Sequence, residues 1–204
     1  MLNIIIVLVV GYLLGSISTG VLLSKLCANT DIRSQGSGNA GTTNMLRVLG
    51  RKLALITFAG DLLKGVIAVL IGKAIVGGDL GGVLGVTGAV LGHYFPLYFG
   101  FKGGKGIATG FGSLLFVFPV EALCALAVFV VIVAITRYVS LGSVVAAAVL
   151  PVLVFVTHGE NTAVCIITAL VALSAIWRHG ANICRLLSHT ESKLDLSKLK
   201  GKKK

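Results

Sequence analysis

Apolar residues run along this chain in long stretches, and the polar residues are gathered into short segments between them. The stretches cover residues 2–26, 53–76, 80–99, 107–136, 139–156 and 162–177. Crossing a hydrocarbon core of roughly 30 Å takes about 20 predominantly apolar helical residues. The pattern therefore predicts an all-α integral membrane protein. Its fourth stretch is interrupted by Pro119 and Glu121. Proline breaks the helical hydrogen-bond ladder, and a carboxylate is costly in lipid. Dividing it there gives a short span at 107–118 and another at 120–136, about seven crossings in all. Lys25, Arg33, Arg47, Arg51 and Lys52 follow the first span. Placing that cluster in the cytoplasm puts the N-terminus outside and the C-terminus inside, with nearly every loop cation on one face. The short span, at 1.5 Å per residue, covers only about 18 Å and needs a thinned or shielded setting.

Composition supports this class. The chain of 204 residues is 56% hydrophobic and 12% charged, with mean hydropathy +0.99. A net charge of +11 would suit a nucleic-acid binder, but the cations sit in inter-helix loops and the tail, where topology and anionic ligands explain them better. Cys27, Cys124, Cys165 and Cys184 show no paired spacing and read as small apolar side chains. The first stretch lacks a basic leader and a clear cleavage pattern, so it reads as an uncleaved span. One polytopic domain over 1–204 is expected, ending in a polar basic tail at 193–204. The lysines at 198–204 are expected to lie on anionic headgroups.

Three polar segments carry candidate chemistry. Residues 34–47, S-Q-G-S-G-N-A-G-T-T-N-M-L-R, hold three glycines, two serines, two threonines, two asparagines and a closing Arg47. Glycine bends expose consecutive backbone N–H groups as an anion nest, with hydroxyls and amides around it. A plain flexible connector is the alternative. The second segment, Gly92-His93-Tyr94-Phe95-Pro96 leading to Lys102-Gly103-Gly104-Lys105-Gly106, sets two ammonium groups beside glycine N–H donors, or is an ordinary cytoplasmic loop. In the third, Arg178, His179, Asn182 and Arg185 have spacings that share one face of a helix. Asp61 and Lys64, at i and i+3 within a span, read as a structural salt bridge or a proton relay. Ser140 and Ser143 face the polar mouth or cap their own helix.

Several chemistries lack their residues. No histidine stands at H-x-x-x-x-D spacing, and there is no G-x-S-x-G elbow, Walker loop or Cys/His cluster. Only 7 acidic residues argue against a two-metal site. No metal or cofactor is expected. A phosphate-ester transporter is the rival reading, but transporters set their site at the midplane between repeats. Here the motifs gather on one face and no repeat is visible.

Taken together, G-S-G-N-A-G-T-T-N-M-L-R at 36–47, G-D-L-L-K-G at 60–65, G-H-Y-F-P at 92–96, F-K-G-G-K-G-I-A-T at 101–109, R-H-G-A-N-I-C-R-L-L at 178–187 and T-E-S-K at 190–193 resemble the integral-membrane acyl-phosphate:glycerol-3-phosphate acyltransferases of bacterial phospholipid synthesis. The chain departs from that pattern at Ser18-Thr19, where Pro-Phe is common, and at His189, where Gly is usual. The resemblance implies a multi-pass enzyme of the bacterial cytoplasmic (inner) membrane with its site facing the cytoplasm. It implies acyl transfer from acyl phosphate to the sn-1 hydroxyl of glycerol 3-phosphate, giving lysophosphatidic acid and phosphate. Those two substrates, membrane lipid and a functional link to an acyl-phosphate-forming enzyme are the partners expected. Ser37, Gly38, Asn39, Gly41, Thr42 and Thr43 are expected to hold the acyl phosphate. Arg47, Lys105, Ser143, His179 and Asn182 are expected to hold glycerol 3-phosphate, with His179, Lys105, Arg47 and Asn182 catalytic. Either His179 or a substrate phosphate oxygen takes the proton; neighbouring Arg178, Arg185 and Lys105 weaken the imidazole as a base.

Overall fold

The computed structural model describes residues 1–195, so the lysine tail expected at 198–204 lies outside the described residues. No strand occurs among the described residues; the elements are α1 (Leu2–Gly15), α2 (Thr19–Ala28), α3 (Thr42–Leu49), α4 (Arg51–Ile75), α5 (Gly78–Tyr94), α6 (Ile107–Leu114), α7 (Pro119–Thr136), α8 (Val139–His158), α9 (Thr162–Arg178) and α10 (Gly180–Leu187), with short 3-10 turns at Ile32–Ser34 and Leu97–Phe99. Among the described residues, five stretches are long and apolar enough to cross a membrane: Leu2–Ala28, Arg51–Ile75, Gly78–Phe99, Pro119–Thr136 and Val139–His158. A sixth counts if α9 and α10, bent by 55° at their junction, form one span. The seventh expected crossing falls on α6, whose 8 residues extend only about 12 Å.

The chain divides into two compact units, Met1–Ser113 and Leu114–Leu194. In the first, α1, α4 and α5 pack together with their glycines in contact. Added Cβ atoms would collide with Ala89 O at Gly15 and with Gly81 O at Gly72. Close backbone approach of this kind replaces the hydrophobic driving force that lipid does not supply. The first apolar stretch is broken, contrary to the continuous helix its composition suggests. Ser16 turns its hydroxyl back to Tyr12 O (2.8 Å), and Ser18 is extended. The break strands the carbonyl of Ile17 at membrane depth, and buried Lys64 satisfies it through Nζ at 2.8 Å.

In the second unit, Pro119 occupies the first turn of α7, where its missing N–H costs nothing. The interruption read from the sequence is thus real. Glu121 is buried beside Thr157 Oγ1 (2.6 Å) and His158 Nε2 (3.4 Å). Outward residues such as Val120, Ile135, Phe155 and Leu173 are more than half exposed, as lipid-facing positions require.

Candidate active site

The first glycine-rich segment is a folded object. Ile32, Ala40 and Met45 join Val21 and Ala54 in a small core, each no more than 3% exposed. Thr42–Leu49 is helix α3, so the second half of the expected loop is regular structure. Asn44 organises the remainder. Its buried Nδ2 shares its two hydrogens among Ile32 O (3.2 Å), Gln35 O (3.0 Å) and Asn39 O (2.9 Å), while its Oδ1 accepts Ser37 N–H (2.9 Å). Gly41 N–H donates to Asn39 Oδ1 (2.9 Å), and Gly38 N–H to Gln35 O (3.0 Å). The amides of Ser37, Gly38 and Gly41 are therefore spent inside the segment, which corrects the expectation that these N–H groups form the nest. The Ser37 and Thr43 hydroxyls are on exposed residues. Thr42 Oγ1 is buried with no hydrogen-bond partner among the described residues, and α3 starts at Gly41 with no side-chain cap. Arg47 lies in the last turn of α3.

The second segment meets the first through Arg33. Its Nη1 donates to Phe99 O (2.6 Å) and Lys102 O (2.8 Å), while Nε and Nη2 fork onto Asp31 (2.9 and 2.7 Å). That side-chain hydrogen bonding outweighs burial and holds the Asp31 carboxyl at about 2. The two basic loops are thus tied together by a guanidinium. A further correction concerns Gly103 and Gly104. Their N–H groups donate to Tyr94 O and His93 O, both at 3.1 Å, and are not the free anion donors the sequence suggested. The glycines allow the loop to lie on His93 and Tyr94, where a Cβ would clash. Lys105 follows directly, half-buried.

In the second unit, His179 ends α9 and starts α10. Arg178 and Asn182 therefore belong to different helices, not to one continuous face. His179 is 3% exposed, and its Nδ1 lies 2.8 Å from Ala175 O. A carbonyl can only accept, so Nδ1 carries a hydrogen and donates it. Asn182 and Ser143 are also buried; Ser143 Oγ bonds Val139 O (2.9 Å) in its own helix. Glu191 collects Asn182 Nδ2 (2.7 Å), Ser140 Oγ (2.7 Å) and Arg185 Nε (2.7 Å). Burial pushes its carboxyl up, but those three donors outweigh it and hold it below the usual value.

Asp61 and Lys64 form a buried ion pair at 2.9 Å. Reading the residues alone counted Asn44 among the donors of the first loop and Arg33 among the cytoplasmic cations, but gave no bracing role to Arg33, Asn44, His93 or Glu191. Only the motif strings around Asn44, His93 and Glu191 marked them, and nothing in the spacing said that they brace other residues.

Apart from Glu191, the residues of these clusters fall within the region that a glycerol-3-phosphate acyltransferase family profile matches, residues 5–189. The glycerol-3-phosphate acyltransferase of Clostridioides difficile (strain 630) is 50% identical over 199 residues, covering 95% of this chain and 97% of that one. The one from Syntrophotalea carbinolica is 47% identical over 191 residues, covering 92% and 96%. Among solved structures, the crystal structure of PlsY, an integral membrane glycerol 3-phosphate acyltransferase, in its glycerol 3-phosphate form is similar with TM-score 0.89 and 37% identity over 98% of this chain and 99% of that one. Its lysophosphatidic acid form gives 0.85 over 96% and 98%. Sequence and helical architecture agree along nearly the whole length, and the chain belongs to the glycerol-3-phosphate acyltransferase family of integral membrane enzymes.

Proposed function

We propose that this enzyme takes its acyl group from an acyl phosphate, supplied by a separate acyl-phosphate-forming enzyme, and delivers it to the sn-1 hydroxyl of glycerol 3-phosphate. The products are lysophosphatidic acid and inorganic phosphate. The observation that carries the donor assignment is the uncapped start of α3 with the unpartnered Thr42 hydroxyl beside it. A helix N-terminus with spare donors favours a phosphate. Ser37, Gly38, Asn39, Gly41, Thr42 and Thr43 frame the acyl-phosphate head, the hydroxyls and the α3 N-terminus binding while the other groups hold shape. Arg47 and Lys105 neutralise the phosphate of glycerol 3-phosphate, and Ser143, His179 and Asn182 orient its glycerol. The ligands of the similar PlsY structures, glycerol 3-phosphate and lysophosphatidic acid, support this substrate and product.

In the reaction, the sn-1 oxygen bonds to the acyl carbonyl carbon and the bond from that carbon to the phosphate oxygen breaks. The hydroxyl proton passes to an oxygen of the departing phosphate. The mixed anhydride is already activated, so positioning and charge stabilisation supply the catalysis. His179, whose ring is oriented by the Nδ1 bond to Ala175 O, aims the hydroxyl. Purified enzyme in detergent, given palmitoyl phosphate and glycerol 3-phosphate, is expected to form lysophosphatidic acid and phosphate in equal amounts in a single turnover. Product from palmitoyl-CoA but none from palmitoyl phosphate would refute the donor. His179→Gln is expected to lower kcat; near-normal kcat would remove His179 from the reaction.

The cation pattern supports seven crossings in the bacterial cytoplasmic membrane, N-terminus outside, C-terminus and active site cytoplasmic, with α6 as a short shielded segment.

A further inference from the structure

The buried Asp61–Lys64 pair lies beside a group that the reaction does not use. Lys64 Nζ stands 3.0 Å from His93 Nδ1, as well as 2.9 Å from Asp61 Oδ1 and 2.8 Å from Ile17 O. Thr109 Oγ1 is 3.3 Å from the same imidazole nitrogen. His93, Lys64, Asp61 and Thr109 are each at most 5% exposed. An ammonium has hydrogens to give and no lone pair. His93 Nδ1 is therefore the acceptor, and the neutral ring carries its proton on Nε2. That outer edge lies on the lysine loop: a Cβ on Gly104 would fall on His93 Nε2, with the two flanking ring carbons next nearest at 3.1 and 3.2 Å. The main chain of the same residue holds the loop as well, since His93 O accepts Gly104 N–H (3.1 Å).

We propose that His93 is a positioning residue that sets the Gly103–Gly104 backbone, and through it aims Lys105 at the phosphate of glycerol 3-phosphate. This rests on the reading of Lys105 as a substrate cation. Lys64 serves His93 by fixing its tautomer and ring orientation, and Asp61 serves it by holding Lys64, which gives the charged pair inside the membrane a purpose beyond mutual neutralisation. Through Ile17 O, the same ammonium ties the break between α1 and α2 to this brace.

The test measures both substrates. His93→Asn keeps an acceptor near Nδ1 but withdraws the ring edge from Gly104. It is expected to raise KM for glycerol 3-phosphate roughly tenfold, the scale of one weakened charged contact, with KM for palmitoyl phosphate and thermal stability little changed. His93→Gln, whose longer amide reaches the place of Nε2, should recover part of that loss; it also carries the measurement if the Asn variant does not purify. In the Lys105→Ala background, His93→Asn should add nothing. An equal rise in both KM values, or an effect that multiplies with Lys105→Ala, would overturn the positioning role alone. Lys105→Ala with unchanged KM for glycerol 3-phosphate would overturn the reading of Lys105 and the proposal with it.

Discussion

Asn44 shows how one buried carboxamide can hold a glycine-rich segment in shape. Its two Nδ2 hydrogens are shared among three carbonyls and its Oδ1 takes one amide across residues 32–39, and each buried group left unpaired costs about 1–3 kcal/mol. Asn44→Ala is therefore expected to raise KM for acyl phosphate sharply and lower the melting temperature. Asn44→Asp should be worse, because a carboxylate can accept Ser37 N–H but would face three carbonyls with nothing to donate. Steady-state kinetics and thermal unfolding in detergent check both. Glu191 works in the opposite sense, as an acceptor for three donors. Its folded carboxyl is held below the ordinary 4.5. The stabilisation is then complete above that value and is lost as pH falls through the lower folded one. Glu191→Gln replaces one acceptor oxygen by a donor. The wild type should lose thermal stability on acidification below about pH 4.5, while the Gln variant starts lower and changes less; parallel curves would contradict this account.

Among the elements, the interruptions matter more than the spans. α1 and α2 are separated at Ile17, whose carbonyl recruits Lys64. α9 and α10 bend at His179, which places an imidazole at a junction and not along a helix face. The two basic loops share Arg33, whose fork onto Asp31 and two carbonyl bonds need a planar guanidinium. Arg33→Lys cannot make them together. It should weaken binding of both substrates by roughly tenfold, the worth of one charge-assisted bond, and KM values for both check it. Asp31, held at about 2, contributes fully above the ordinary 3.8 and loses that contribution between 3.8 and about 2.

At the scale of the whole molecule, the distribution of cations is the strongest organising signal. With cysteines placed singly at positions 38, 102 and 189 in a cysteine-free protein, a membrane-impermeant maleimide should label all three only from the cytoplasmic side. Cysteines at 78 and 160 should label only from outside. Labelling of 38 and 189 from opposite sides would exclude the seven-crossing topology and one shared active site. Glycines between α1, α4 and α5 find partners within the chain, as Gly11 with Gly88 and Gly72 with Gly81 show, where composition left open whether close packing lay within or between chains.

Hydrophobic run length, the break at Pro119 and the joint order of the motifs were all legible in the sequence, because membrane thickness, proline chemistry and family pattern act on local stretches of chain. The residues proposed to meet substrate, Arg47, Lys105 and His179, were nameable for the same reason. Spacing did not show that Asn44, Arg33, His93 and Glu191 brace them, nor that the Ser37, Gly103 and Gly104 amides were already occupied. A hydrogen bond depends on where two distant segments arrive in space, and Arg33 reaches Lys102 across 69 positions. The amino-acid order determined which chemistry the protein carries; only the tertiary structure decided which donors remain available for it, since each amide spent on the fold is withdrawn from the substrate.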